Sequence, residues 1–307
     1  MASKIDLHIH TTCSDGLFSP KQVIDMARKN GVDTIAISDH DSIEAYSDEL
    51  VSYAKKCNIK LIPAVEISTI MPTNTDIGSA GIHILGYNFD ISNKSFLEQI
   101  KKLGNVRRTY MYDVSKKLEE LGYRVRLSKL EELQSVTKAH ISRDIISNPE
   151  NEKLLQKTFG HIPNMGEFIE TIMNEGCPAY VKKYTISPQK ASEIIHYAGG
   201  KVVIAHPVAY RYEDGLNEKD IENLAKSIYS DGIEANYLYL NKNNNLIDEC
   251  DIWNNLAKKL NLFTTIGSDF HLSDSLHPEI GFTNTAKDFK ISPEKIISNL
   301  TSKDIEK

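Results

Sequence analysis

Cysteine is scarce and poorly placed for staples: Cys13, Cys57, Cys177 and Cys250 are scattered along the chain, with no CxxC pair. That spacing gives no sign of a disulfide framework or a zinc knuckle. No apolar run approaches the roughly 20 residues needed to cross a bilayer. The opening MASKIDLHIH passes straight into an apolar segment without a signal-peptide pattern. The expected setting is a reducing cytoplasm, with no membrane attachment and no stable protein partner evident. An excess of positive charge is missing too. The net charge is −6, which argues against a protein that coats nucleic acid. Repeats and low-complexity stretches are absent.

What remains is ordinary globular composition, 40% hydrophobic and 25% charged over 307 residues. That length allows two domains, or one barrel with an insertion. Seven short apolar segments read as buried strands: KIDLHIH, VDTIAIS, IKLIPAVEIS, GIHILGYNF, KVVIAHP, IEANYLY and LFTTIGSD. Most are separated by amphipathic stretches of helical spacing, such as SPKQVIDMARKNG and NNLIDECDIWNNLAKKLN. This is the pattern of a parallel sheet covered by helices. The α/β class is expected, as a distorted seven-stranded (β/α)7 barrel; an open doubly wound sheet is the alternative.

The rhythm breaks between about 93 and 184. There Phe96, Leu97, Ile100, Leu103, Tyr110, Val114 and Leu118 recur at helical spacing and no strand alternation is evident. The expected division is a barrel of residues 1–92 and 185–307, interrupted by a mainly helical cap at 93–184. From Lys101 to Arg143 the insertion carries eleven basic residues against five acidic ones. A solvated helix face accounts for such a run in most proteins.

In parallel α/β folds, functional groups collect at the carboxyl ends of the strands. Here those ends bring His8 and His10, then Asp39, His40 and Asp41, Glu66, His206, and Asp269 with His271. Asp15 lies in the loop after the first strand, and His83 early in GIHILGY. Only the segment ending EANY supplies no such group. Singly, each histidine also fits a core position bonded to backbone. Together, six of the ten histidines at one rim with several carboxylates would be costly without cations. Nitrogen and oxygen donors without thiolate suit zinc, manganese or iron. Nine ligands suffice for two or three ions, with Glu66 placed to bridge. Clustered ions of this kind suit in-line displacement at a phosphoester.

The motifs DLHIHTTCSDG, ISDHD, VEIS, AHP and GSDFH resemble those of the PHP (polymerase and histidinol phosphatase) superfamily, in order and over essentially the whole chain. HILGYNFDI, VRRTYM, VTKAHISR and IIHYAGGKVVIAHP are similar to its capped branch, which includes nucleoside 3′,5′-bisphosphate phosphatases and exoribonuclease AM. The resemblance implies a metal-dependent phosphoesterase acting on small nucleotides or short RNA 5′ ends, through a metal-bridging hydroxide. It implies that His8, His10, Glu66 and Asp269 hold one ion. A second would be held by Glu66, His83 and His206, and a third by Asp15, His40 and His271. Asp39 and Asp41 would stand behind these ligands and orient His40 and its neighbours. Catalysis would then centre on Asp15, His40, Glu66 and Asp269. In the insertion, Arg107, Arg108, His140 and Arg143 would grip substrate phosphate.

Two departures from that branch bear on substrate. Lys138 stands where arginine is common, and AYVKKY carries lysines where others carry prolines. Competing expectations are a histidinol-phosphate-type or other small-molecule phosphatase, a hydrolase redirected to an amide, a polymerase-associated proofreading module, and a barrel kept only for binding. His161, His196 and His277 have no strand-end position and are expected at the surface or in structural roles. Tyr110, Tyr237 and Tyr239 fit core packing, or the stacking of a base.

Overall fold

A computed structural model describes residues 4–73, 78–133, 135–241, 243–274, 276–282 and 292–302. The chain begins β1 (Ile5–Ile9), α1 (Pro20–Lys29), β2 (Thr34–Ile37), α2 (Asp48–Lys56), β3 (Lys60–Pro72) and β4 (Ser79–Tyr87). A helical stretch follows: α3 (Lys94–Glu120), α4 (Leu127–Glu131), α5 (Lys138–Ser147), α6 (Glu152–Phe159) and α7 (Met165–Phe168), which runs on as a π-helical turn at Ile169–Met173. The alternation then resumes with α8 (Pro188–Tyr197), β5 (Lys201–Ile204), α9 (Pro207–Glu213), α10 (Glu218–Ser227) and β6 (Gly232–Asn236). It ends with β7 (Leu238–Leu240), β8 (Leu246–Asp248), α11 (Cys250–Lys259), β9 (Phe263–Ile266) and α12 (Pro293–Thr301). None of the helices described is long and apolar enough to cross a membrane.

Local chemistry sets these boundaries. In α1, Ser19 and Gln22 form a reciprocal capping box ahead of Pro20. The helix stops at Asn30, where Gly31 takes up φ 71°. Ser47, Ser187 and Ser292 cap α2, α8 and α12 in the same way, each accepting a backbone N–H through its hydroxyl.

Seven strands form one sheet in the order β1-β2-β3-β4-β5-β6-β9. Its two edges nearly meet: Ile9 bridges Phe270 in parallel, and the His10 N–H donates to the Phe270 carbonyl at 2.9 Å. The result is the distorted seven-stranded barrel expected from the segment count. It is not uniformly parallel. Strand β4 runs antiparallel to both β3 and β5. Only residues 73–78 separate β3 from β4, too few for the crossover a parallel pair needs. A second difference lies after β6. The sequence pattern there suggests a helix from about residue 244, but β7 and β8 pair as a hairpin before α11 begins. The Asn241 side chain closes its turn by accepting the N–H groups of Asn243 and Asn245.

The chain divides into two compact units: one runs to Ile100 and resumes at Ile186, and the other is Lys101–Thr185. In the barrel unit, α1 and α2 bury Val23, Ile24, Ala27, Leu50 and Ala54 against Ile9, Ile35 and Ile37. A second cluster joins Leu7, Ile62, Leu85, Tyr87 and Val203 to Ile296 and Leu300 of α12. Each fully buried aliphatic of this kind stabilises by about 1.5–3 kcal/mol. The Tyr87 hydroxyl is satisfied, donating to the Leu7 carbonyl at 2.9 Å.

All regular structure described between 101 and 185 is helical. Its core gathers Tyr110, Met111, Val114 and Leu118 of α3 with Ile141, Ile145, Leu155 and Phe168. At the start of α3 the buried residue is Phe96, whereas Leu97 is 39% exposed, because one residue turns a helix by about 100°.

Candidate metal centre

Period-two alternation puts Asp6, His8 and His10 on one face of β1 and its continuation, opposite Ile5, Leu7 and Ile9. His8 and His10 are both fully buried, with their Nε2 atoms 3.1 Å apart. Two imidazole nitrogens that close share at most one proton. Both also face Glu66, at 3.4 and 3.3 Å, and Asp269 Oδ1, at 3.3 and 3.1 Å.

Glu66 is the hub. Besides His8 and His10, its oxygens lie 2.8 Å from His40 Nδ1, 2.9 Å from His83 Nδ1 and 3.2 Å from His206 Nε2. The reversed direction of β4 explains His83. In an antiparallel strand the early residues reach the rim where parallel strands deliver their ends. His83 pairs with Ser68, two residues from Glu66 and so on the same face of the hairpin. Asp15 makes a second focus, 3.2 Å from His271 Nε2, 3.7 Å from His10 Nδ1 and 3.8 Å from His40 Nε2.

Four sets of donor atoms each lie within one ion's reach. They are His10, Asp15, His40 and His271; His8, His10 and Glu66; His8, His206 and Asp269; and His40, Glu66 and His83. All nine residues expected to be ligands are thus brought together. The grouping differs from the expected allotment in detail, since His10 joins the Asp15 set and His206 faces Asp269 as well as Glu66.

The donor atoms fit cations better than they fit one another. His83 Nδ1 comes within 2.9 Å of Glu66, and Asp15 Oδ1 within 3.2 Å of His271. Yet neither atom makes a hydrogen bond among the described residues, and both are buried. Buried polar atoms without partners are costly. Groups aimed at a common point rather than at each other are what a bound ion would satisfy.

Charge is strongly redistributed here. Burial alone would push the Glu66 carboxyl up, but His83, His40 and His8 outweigh it and hold the group well below its usual range. Burial likewise opposes a charged His10, yet Asp269 and Glu66 push it up to about 10. His40 goes the other way, down to about 4, through burial and the neighbouring His10. Adjacent imidazoles cannot all be charged. Protons and cations compete for the same lone pairs.

Backbone strain marks the same rim. Asp41, His206 and Asp269 all adopt positive φ, at 50°, 21° and 53°. Such conformations cost on the order of 1–3 kcal/mol and persist where surroundings enforce them.

Supporting residues complete the centre. Asp39 accepts the Thr11 N–H and the Thr11 and Ser14 hydroxyls, and Ser14 Oγ lies 3.3 Å from His10 Nδ1. Asp41 accepts the Ser68 N–H at 3.0 Å. The strand ending EANY does contribute: Glu234 is fully buried, with both oxygens 3.1 Å from His8 Nδ1, and it accepts the His206 N–H at 2.9 Å. The sequence signal is a carboxylate inside the apolar segment GIEAN. Gly267 makes this contact possible, because a methyl group there would collide with His8 Cβ and Glu234 Oε1. Tyr237 donates to Asp269 Oδ2 at 3.4 Å.

Glu234→Gln should weaken cation affinity about 10- to 100-fold, the usual cost of losing a carboxylate behind a ligating histidine. Competition with a metallochromic chelator reads it, and unchanged affinity would show that Glu234 does not tune His8.

The four basic residues expected to bind substrate belong to the helical unit. Arg107 is buried, with Nη1 donating to the Val136 carbonyl at 3.4 Å, just before α5. His140 is buried at the third position of α5, where its Nδ1 accepts the Thr137 N–H in a capping box. Arg143 is half-buried one turn on, and Arg108 is exposed. The remaining histidines each face a carboxylate: His161 with Glu167, His196 with Asp231 and His277 with Asp274, at 2.8–2.9 Å.

A family model described as the PHP domain matches residues 6–206. The chain belongs to the PHP domain family. Among curated relatives, a 5′-3′ exoribonuclease of Haemophilus influenzae is 32% identical over 88% of this chain and 91% of its own length. A 3′,5′-nucleoside bisphosphate phosphatase of Chromobacterium violaceum is 24% identical over 92% of each chain. The fold is shared with a solved structure from Bifidobacterium adolescentis, described as a proposed metal-dependent phosphoesterase. That match has a TM-score of 0.74 at 19% identity and covers 98% of this chain and 96% of that one.

Proposed function

We propose that this PHP domain protein hydrolyses phosphate esters of small nucleotides, of the nucleoside 3′,5′-bisphosphate type, or of the 5′ ends of short RNA. Two or three divalent cations of manganese, zinc or iron would serve it. The observation that carries the reading is the convergence of six imidazoles and three carboxylates on shared points, with buried donor atoms left without hydrogen bonds. The names of the two curated relatives favour nucleotide and RNA substrates.

In this reading His8, His10, Glu66 and Asp269 would hold one cation, with Glu66, His83 and His206 around a second and His206 also facing the first. Asp15, His40 and His271 would hold a third, with His10 beside them. When bound, such cations supply Lewis acidity toward water and the ester oxygens. The chain's own work is positional. Glu66 spans the sets, Glu234 fixes the His8 ring through Nδ1, and burial keeps bulk water from His8, His10 and Glu66. In the helical unit, Arg107, Arg108, His140 and Arg143 recognise substrate phosphate; a guanidinium fork matches its geometry. The four cysteines are free thiols, which favours a reducing cytoplasm as the working compartment.

A hydrolysis panel with manganese or zinc tests the proposal. Nucleoside 3′,5′-bisphosphates and 5′-phosphorylated RNA oligomers should be cleaved with kcat/KM well above that for histidinol phosphate or glycerol phosphate. Cleavage of the simple esters alone would overturn the nucleotide assignment and leave the phosphoesterase chemistry standing.

A further inference from the structure

The helical unit holds a recess that neither the metal centre nor the basic set uses. Val106, Thr109, Tyr110 and Asp113 lie at i, i+3, i+4 and i+7 on α3, so they share one helix face. Opposite them, Val181, Lys182 and Tyr184 complete the lining of a cavity of about 170 Å³. These three residues belong to the AYVKKY stretch in which the sequence departs from its branch. Tyr184 is 76% exposed at the cavity's edge, so its ring has a free face.

We propose that this recess binds the base of a nucleotide, an inference that rests on the nucleotide reading above. The volume falls below the roughly 300–1,000 Å³ of pockets that enclose a drug-sized ligand, so it suits a single heterocycle. Its lining is amphiphilic in the way a base requires: aromatic and aliphatic walls for the π-faces, with a hydroxyl and a carboxylate for the edge. Tyr184 stacks on the base, and stacking tolerates any sequence. Asp113 can only accept hydrogen bonds when ionised, so it selects bases that present an amino group, as cytosine does at N4. Uracil presents a carbonyl oxygen at the same position and is disfavoured. Lys182 gives the lining a positive charge that favours a phosphorylated ligand.

The test is an NMR titration of the full metal-loaded chain with cytidine and with uridine, nucleosides that carry no ester to cleave. Cytidine should bind about fivefold or more tighter than uridine, and Tyr184→Ala should weaken cytidine about tenfold, within the range for a lost stacking platform. Asp113→Asn should equalise the two nucleosides. Tyr184 is too exposed for its truncation to unfold the protein, and a thermal melt verifies each variant. Equal affinities in the unaltered chain, or full cytidine affinity in Tyr184→Ala, would overturn the inference. Discrimination that persists in Asp113→Asn would do so as well. Should cytidine bind while the hydrolysis panel shows no nucleotide cleavage, the catalytic reading fails and the recess stands. Cleavage without nucleoside binding removes the recess alone.

Discussion

Glu66→Gln should abolish most of the phosphoesterase activity, lowering kcat about 10³-fold, or about 4 kcal/mol of barrier. No other side chain faces five imidazoles at 2.8–3.4 Å among the ion pairs described. The amide keeps the shape of the carboxylate but loses its charge, and it turns one acceptor into an NH2 group that repels a cation. Ion content per chain, measured by mass spectrometry, should fall with activity. A variant that kept full ion content and kcat within tenfold of the parent would remove Glu66 from the centre. Because Glu66 is fully buried among imidazoles, its loss also costs stability, so a thermal melt with excess cation must show the variant folded before its kcat is compared.

Stripping the cations should lower the melting temperature by on the order of 10 °C. A ligand present at a thousand times its dissociation constant stabilises the folded state by about 4.1 kcal/mol, and each kcal/mol moves a domain of this size by a few degrees. Residues gathered at the rim come from six strands or strand ends, so cations that join them also tie those strands together. Calorimetry with and without a strong chelator reads the effect, and Glu66→Gln should show a much smaller shift. Identical melts for the parent in both conditions would mean that the side chains assemble without needing ions.

Much of this centre was legible because its chemistry is punctuated by strands. Residues at the ends of parallel strands share a rim whatever lies between them, so His8, His10, His40, His206 and Asp269 could be pooled from local patterns alone. His83 needed more. Its early place in a strand looks wrong until β4 is seen to run backwards, and strand direction depended on the short 73–78 connection rather than on the residues of the strand. Glu234 leaves no signal at a strand's end, because this carboxylate sits inside the strand and acts through another side chain. The β7–β8 hairpin escaped notice since Leu246 and Ile247 fit a helix face as well as a strand. The ligand allotment is likewise a property of tertiary packing: only the folded rim puts His10 beside Asp15.

The bridge between Ile9 and Phe270 joins stretches some 260 residues apart. A ribosome therefore adds some 260 residues after the first strand before that strand can meet this neighbour, and Asp269 and His271 emerge long after His8 and His10. Such distant contacts make for slow assembly. Until the final strand arrives, a nascent chain holds an incomplete set of ligands, open at the edge where the barrel must close.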